Sequence, residues 1–409
     1  MPFDLVIIGA GPYGLSLASH LSKSGIPYRI FGRPMHSWRA HMPAGMLLKS
    51  ESFATNLSDP SGGFTLERFG RDEGLPAADP TAVPLERFLA YGIAFQNRFV
   101  PEVDQRRITV IKRRADCFEL TIEGGDRLLT GKVVVATGLY DFRNIVAPLA
   151  SLPADVASHS ANHAKLDGFR GRDVSVLGGG SSAAELAVLL HEAGVKVRLI
   201  TRGRGPLNYQ RRPVARPVWR RALRPLSGIG YGWQSVLLSE APQLFHLLPP
   251  RLRLPAVQRY LMPAPGWFVR ERFEGHVQHL RGHGLRSAAV IGSQVDLQLE
   301  DSGQRRLSLR TDHVISATGY RLDIDRLGFL DETLRRDLLR IGGTPRLSGN
   351  FESSVPGLYF LGPLSANCFG PAMRFVLGAE FTAKRIARHL QGLSRRLLSG
   401  QSSPAYVER

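Results

Sequence analysis

Apolar residues fall into two patterns along this chain. Short continuous runs such as Asp4-Leu-Val-Ile-Ile8 predict buried strands, while stretches apolar at every third or fourth position, as over 15–24, predict helices. The first run passes into Gly9-Ala-Gly11-Pro12-Tyr13-Gly14 and then the first helix. Gly25 ends that helix, and Tyr28-Arg-Ile-Phe31 supplies a second strand at the spacing of a βαβ unit. The design returns at Asp173-Val-Ser-Val-Leu177, with a turn through Gly178-Gly-Gly180-Ser181-Ser182-Ala183, a helix reaching Ala193 and a strand over 195–200.

Between the two units, 108–111 and 118–122 alternate like antiparallel strands, Gly124-Gly125 marks a turn, and 132–136 reads as a buried strand ending in Ala136-Thr137-Gly138. The same parts recur in the same order: 295–299 and 307–309 flank Asp301-Ser-Gly303, and His313-Val-Ile-Ser leads to Ala317-Thr318-Gly319. This echo predicts two related domains in tandem. The stretch from about 203 to 285 breaks the pattern. It is rich in Arg and Pro, carries Trp219, Trp233 and Trp267, and has helical pieces over 234–248, so it reads as an insertion in the second domain. Gly357-Leu-Tyr-Phe-Leu-Gly362 and a helix over 375–390 return the chain to the first domain, with a frayed tail expected beyond Gly392.

Composition narrows the picture. A chain of 409 residues with 43% apolar content suits two or three packed domains. The two cysteines, Cys117 and Cys368, form no CxxC pair, so redox chemistry is expected from a bound cofactor. The start has neither a basic leader nor a spanning apolar stretch, and a cytoplasmic location is expected. The net charge of +18 raises nucleic acid, anionic lipid and anionic cofactors as partners. Without zinc-ligand spacing, an RNA-binding aromatic signature or a lysine-rich tail, nucleic acid is not expected. Trp, Phe and Leu mixed with Arg in the insertion suit either a substrate lid or a surface touching a membrane's inner face.

Glycines at the end of a strand let the backbone approach a pyrophosphate, and the helix that follows offers free N–H groups. Gly9, Gly11 and Gly14, with Pro12 and Tyr13, meet that need in the first unit. Gly178, Gly180, Ser181, Ser182 and Ala183 meet it in the second. After the second unit's last strand comes Thr201-Arg202-Gly203-Arg204, where guanidinium groups suit a ribose 2′-phosphate, favouring NADPH over NADH. At the equivalent place in the first unit Gly32 and Arg33 stand where an acidic ribose ligand is usual, so the adenosine is expected to be held by backbone and Arg33, or Arg33 to favour a phosphorylated nucleotide there as well.

The chain resembles the class B flavin-dependent monooxygenases, which include the flavin-containing and N-hydroxylating enzymes. The resemblance covers nearly the whole length and rests on the Gly9 loop, Met35-His-Ser-Trp38 through Asn56-Leu-Ser-Asp59, Ala136-Thr-Gly138, the Gly178 loop and Ala317-Thr-Gly319-Tyr320. It implies an α/β fold with two Rossmann-like domains of the glutathione-reductase-like type: 1–150 with 326–409 binding FAD, and 151–325 binding NADPH. It implies Trp38 beside the flavin and Asn56 at the edge where oxygen reacts, the latter competing with a loop-capping role. Val110, Ala136, Thr137, Gly138, Gly362 and Pro371 are the further FAD contacts it implies, and Ala317, Thr318 and Gly319 belong to the second site. Pro363 replaces an Asp of the wider group, so that residue's ribityl contact does not carry over. Arg374 faces a flavin or substrate anion, or solvent. His159-Ser160 only partly matches the linker of the Baeyer–Villiger subclass, with Leu152-Pro153 and His163 out of pattern, and both histidines read as hinge or surface residues. The implied reaction inserts one oxygen atom from O2 into a small amine, thioether or apolar substrate through a flavin C4a-hydroperoxide. An NADPH-dependent flavin reductase and a non-catalytic nucleotide-binding or membrane-docking protein remain open beside it.

Overall fold

The structure is a computed structural model of the chain that describes residues 3–76, 79, 82–211, 217–260 and 264–398. Two sheets organise it, the first mixed and the second parallel. In the first, Phe3–Ile8 lies between Tyr28–Phe31 and Arg127–Val135, parallel to both. Leu5, Val6 and Ile7 are fully buried because helices and loops cover both faces of this central strand, which is why the run reads as continuous rather than alternating.

Arg127–Val135 serves two roles along one edge. Its first half pairs antiparallel with Cys117–Ile122, which pairs with Ile108–Arg114, and its last residues pair parallel with Leu358–Phe360. The C-terminal part of the chain therefore completes the first domain, and the helix Gly378–Leu398 packs along Pro12–Leu21. That helix begins at Gly378, three residues later than Phe375, where the periodicity starts it. It continues through Gly392 to Leu398, because its buried face, with Ile386, Ala387 and Leu390, stays on the core.

The second sheet has the order Gln278–Arg281, Lys196–Thr201, Asp173–Leu177, His313–Ser316, Ala157–His159, all parallel. An antiparallel meander of His283–Ile291, Gln294–Asp301 and Arg306–Thr311 stands beside it. Two features differ from the sequence reading. Gln278–Arg281 is a sheet strand, although the insertion was expected to run to 285. Phe268, Val269, Phe273 and Val277 bury themselves against the second domain's helix, so the domain resumes near Trp267. His283–Ile291 is also a strand; its outward side chains hide the alternation.

Candidate functional site

Each glycine turn is fixed by a neighbouring backbone. Gly9 has φ +114, and a Cβ on it would come 2.3 Å from the Ala136 carbonyl oxygen; Gly178, with φ +146, meets the Ala317 carbonyl oxygen at the same 2.3 Å. Each Ala-Thr-Gly segment is thus the wall that makes its glycine obligatory. A Cβ on Gly14 would come 1.8 Å from the Gly9 carbonyl oxygen, which locks the helix Pro12–Leu21 onto the turn. Ala183, in the equivalent place of the second unit, is fully buried. Gly11 is different: nothing lies within 4 Å of the Cβ it lacks.

The helices after the turns are prepared alike. Pro12–Leu21 starts after Gly11 and Ser181–Glu192 after Gly180, with no side-chain cap and no acidic residue in either first turn. Both leave their first N–H groups and their positive dipole ends to a ligand. Beside the first turn the Thr137 hydroxyl is buried with no hydrogen-bond partner among the described residues. Its counterpart Thr318 is satisfied, by the Asn144 carbonyl and the Ser316 hydroxyl. An open Gly11, a capless helix end and, on the neighbouring segment, an orphaned buried hydroxyl fit a bound dinucleotide phosphate.

The closing segment reaches this loop from the far end of the chain. The Tyr13 hydroxyl lies 2.8 Å from the carbonyl oxygens of both Met373 and Phe375, and Gly362, at φ +65, lies against the Tyr13 ring. Pro371 is buried in the short turn Pro371–Arg374. Arg374 is half-buried, burial pulls its pKa below the ordinary value, and it has no acidic partner among the described residues. Lys49 is held the same way, by burial and then by the repulsion of Arg374, with the Ala264 carbonyl 3.4 Å from Nζ.

Other expected residues are placed as follows. Trp38 is half-buried on the first domain's core, edge-on to Phe88 at 4.7 Å. Both ends of the Asn56 amide have local partners: Oδ1 accepts from the Leu66 N–H at 2.8 Å, and Nδ2 donates to the Phe53 carbonyl at 3.1 Å. Val110 is half-buried in Ile108–Arg114. Arg33 is exposed just past Tyr28–Phe31. An acid does approach that strand end from elsewhere, since the Gly32 N–H donates to the Asp104 carbonyl at 2.8 Å. The Asp104 carboxylate, though, is held by Arg106 at 2.7 Å and Arg29 at 2.8 Å, and hydrogen bonding from Arg106 keeps its pKa below the usual range.

In the second domain Arg202 is exposed and makes no hydrogen bond or ion pair among the described residues, whereas Arg204 is stapled to the Ser302 hydroxyl. The chain pairing brings in a third guanidinium that sequence order hid: Arg281 is in register with Thr201. His159 is fully buried rather than a surface residue. Its Nδ1 accepts from the Ala161 N–H and its Nε2 lies 3.1 Å from the Gly319 carbonyl, so the ring is neutral with the proton on Nε2. Burial lowers its pKa to about 4, and does the same for His163, whose Nε2 lies 2.6 Å from the Ser158 hydroxyl.

Between the two domains lies a small cleft open to solvent. Met42, Pro43 and Met46 form one wall, Ser182, Glu185 and Leu186 the other, and Tyr320 closes it. Glu185 is buried there, and burial pushes its carboxyl up to about 7. Sequence reading missed Glu185 because it sits in an ordinary helical repeat, and only the approach of the first domain desolvates it. His41 crosses the same boundary, with Nδ1 3.0 Å from the Ala161 carbonyl and its ring stacked on Tyr140 at 3.7 Å.

The sequence profile of the family described as pyridine nucleotide-disulphide oxidoreductase matches residues 6–227. Among curated proteins, indole-3-pyruvate monooxygenase YUCCA1 of Oryza sativa subsp. japonica is 26% identical over 213 residues, covering 48% of this chain and 47% of that protein. The chain spans about half the length or less of the curated relatives it matches. Among solved structures, the Kutzneria sp. 744 ornithine N-hydroxylase superposes with a TM-score of 0.78 at 18% identity, over 97% of this chain and 100% of that one. The cadaverine monooxygenase of Erwinia amylovora gives 0.70 at 18%, over the whole of both chains. At such identity these likenesses establish the two-domain flavoprotein fold.

Proposed function

The chain belongs to the pyridine nucleotide-disulphide oxidoreductase family, and from that premise we propose that it is an FAD- and NADPH-dependent monooxygenase acting on a small nucleophilic or apolar substrate. The observation that carries the reading is the cleft between the two glycine-loop domains, walled by Met42, Met46 and Leu186 and offering no thiol. The family's disulphide chemistry needs a dithiol, and here Cys117 is half-buried on one strand while Cys368 is buried in the closing segment.

FAD would be held by Gly9, Gly11, the first turn of Pro12–Leu21, Thr137 and the closing segment around Gly362 and Pro371. NADPH would be held by Gly178, Gly180, Ser181 and Ser182, with Arg202 and Arg281 at the 2′-phosphate. The flavin, when bound, supplies hydride acceptance and oxygen activation. The chain supplies orientation and a dry site. Met42, Pro43 and Leu186 exclude water, which strengthens every polar contact inside. The neutral Nε2–H of His159 holds the Gly319 carbonyl, and the His41 contact with the Ala161 carbonyl ties the first domain to the second. Asn56 would contribute at the flavin edge only by releasing Leu66 or Phe53. Arg374, with no acidic partner among the described residues, and Lys49 beside it would take an anionic group of substrate or cofactor.

The test is turnover of purified, flavin-loaded protein with NADPH and 18O2 against a panel of amines and thioethers. One 18O atom per product and one NADPH per oxygenation is the expected result. Stoichiometric hydrogen peroxide with no oxygenated product across the panel would assign the chain to the reductases instead.

A further inference from the structure

The described residues between Lys196–Thr201 and Trp267–Val269 add no strand to either domain sheet, yet they carry nine of the seventeen large apolar side chains exposed among the described residues. Helices Trp233–Glu240, Pro242–Leu247 and Pro250–Tyr260 are apolar on two sides. One side is turned inward: Leu238, Phe245 and Val257 join the first domain's core, and His246 stacks on Phe369 at 4.7 Å. The other faces away from the protein. Trp233 is 64% exposed and Leu247 74%, and Leu237, Leu244 and Leu252 are each more than half exposed. Trp233 is fixed there, its indole N–H donating to the Ala222 carbonyl at 3.1 Å. An apolar area so concentrated is a contact surface rather than scatter.

Charge says what it contacts. Residues 202–259 hold eleven arginines and a single carboxylate, Glu240. Among the described residues Arg211, Arg224, Arg251 and Arg259 are exposed around the leucines. We propose that this face docks on an anionic lipid bilayer, with Trp233 and the leucines entering the acyl boundary and the arginines meeting phosphate headgroups. A second copy of the face would set arginine against arginine. A nucleic acid would engage the arginines and leave the leucines in water. A bilayer satisfies both, and it requires no spanning segment; no described helix is long and apolar enough to cross a membrane.

The docked face continues to the site. Gly228 is wedged between Leu377 and Ala54, where a Cβ would come 2.5 Å from Leu377, and Trp233–Glu240 packs on Pro371–Arg374. Docking therefore sets the closing segment at the lipid surface, suited to an amphipathic substrate. That last step rests on the oxygenase reading, whereas docking does not.

The experiment is flotation of the full chain with phosphatidylcholine vesicles, with and without phosphatidylglycerol, read also by tryptophan emission. Native protein is expected to float with the anionic vesicles, less so as salt is raised. The triple variant Leu244→Ser, Leu247→Ser, Leu252→Ser is expected to bind about tenfold or more weakly, with flavin content and NADPH oxidation unchanged. Arg224→Ser with Arg251→Ser and Arg259→Ser should lose the preference for anionic lipid. Native protein that stays unbound, or a leucine variant that floats as well as native, overturns the proposal. So does an oligomer that the leucine changes dissolve while neither form binds vesicles, since a second copy then covers the face. Protein that floats but yields no oxygenated product upholds docking and removes the oxygenase reading.

Discussion

The backbone N–H of Leu47 donates to the Glu185 carboxyl at 2.9 Å, so a buried acid of the second domain is bound to the segment that follows the first domain's second strand. Burial lifts this carboxyl from 4.5 to about 7. The folded chain thus keeps a proton that the unfolded chain has lost, and stability falls as pH rises from about 4.5 through about 7. Ionising the group in place costs about 3 kcal/mol. Glu185→Gln keeps the acceptor and removes the ionisation. The variant should match native protein near pH ~5 and exceed it by about 2 kcal/mol near pH ~8 in urea unfolding. An equal difference at both pH values would mean that the charge has no part in the latch.

Gly11 and Gly14 should answer differently to one methyl group. Gly14→Ala drives a Cβ against the Gly9 carbonyl oxygen and should prevent folding of the first domain. Gly11→Ala meets nothing in the protein and should fold, losing about 1 kcal/mol or less at the helix N-cap. Its cost should appear as flavin affinity reduced about tenfold or more, because the added methyl would enter the space proposed for the flavin pyrophosphate. Flavin titration of the apoprotein beside circular dichroism reads both. A Gly11→Ala protein that binds flavin normally would refute the loop's assignment.

Thr137 carries a buried hydroxyl without a partner. Thr137→Val removes that hydroxyl at nearly constant volume. The apoprotein should be equally or more stable by up to about 1 kcal/mol, while flavin binding weakens several-fold to about tenfold. Unchanged flavin affinity together with higher stability would identify the hydroxyl as a packing defect.

Among the described residues Arg202 makes no hydrogen bond or ion pair while Arg204 is stapled to Ser302, so the two should not contribute equally to nucleotide choice. Arg202→Ser is expected to lower kcat/KM for NADPH about tenfold to a hundredfold with little change for NADH. Arg204→Ser should have a several-fold effect at most, and Arg281→Ser should add to Arg202→Ser. Steady-state kinetics with both nucleotides decides, and a variant losing both equally would place the arginine elsewhere.

Much of this molecule was legible along the chain because glycine loops and buried parallel strands are local signals. Phe3–Ile8 and Asp173–Leu177 announce themselves as apolar runs, and each loop sits where its glycines require. Contacts set by distant chain were not legible. Arg281 reaches Thr201 only because Gln278–Arg281 joins the sheet, and in sequence it looked like part of an Arg-rich insertion. Glu185 becomes unusual only when Leu47 and the cleft desolvate it. The engagement of Asn56 with Leu66 likewise depends on a turn of ten residues that leaves no periodic trace.

Leu358–Phe360 and Gly378–Leu398 complete a domain whose first strand lies at the opposite end of the chain. During synthesis, which proceeds from the N-terminus, the second domain can close its sheet once His313–Ser316 has emerged. The first must wait, with the Gly9 loop already translated but Tyr13 lacking Met373 and Phe375. The ribosome thus delivers the second domain as a finished unit inside an unfinished one, and the packing around the first glycine loop is completed last.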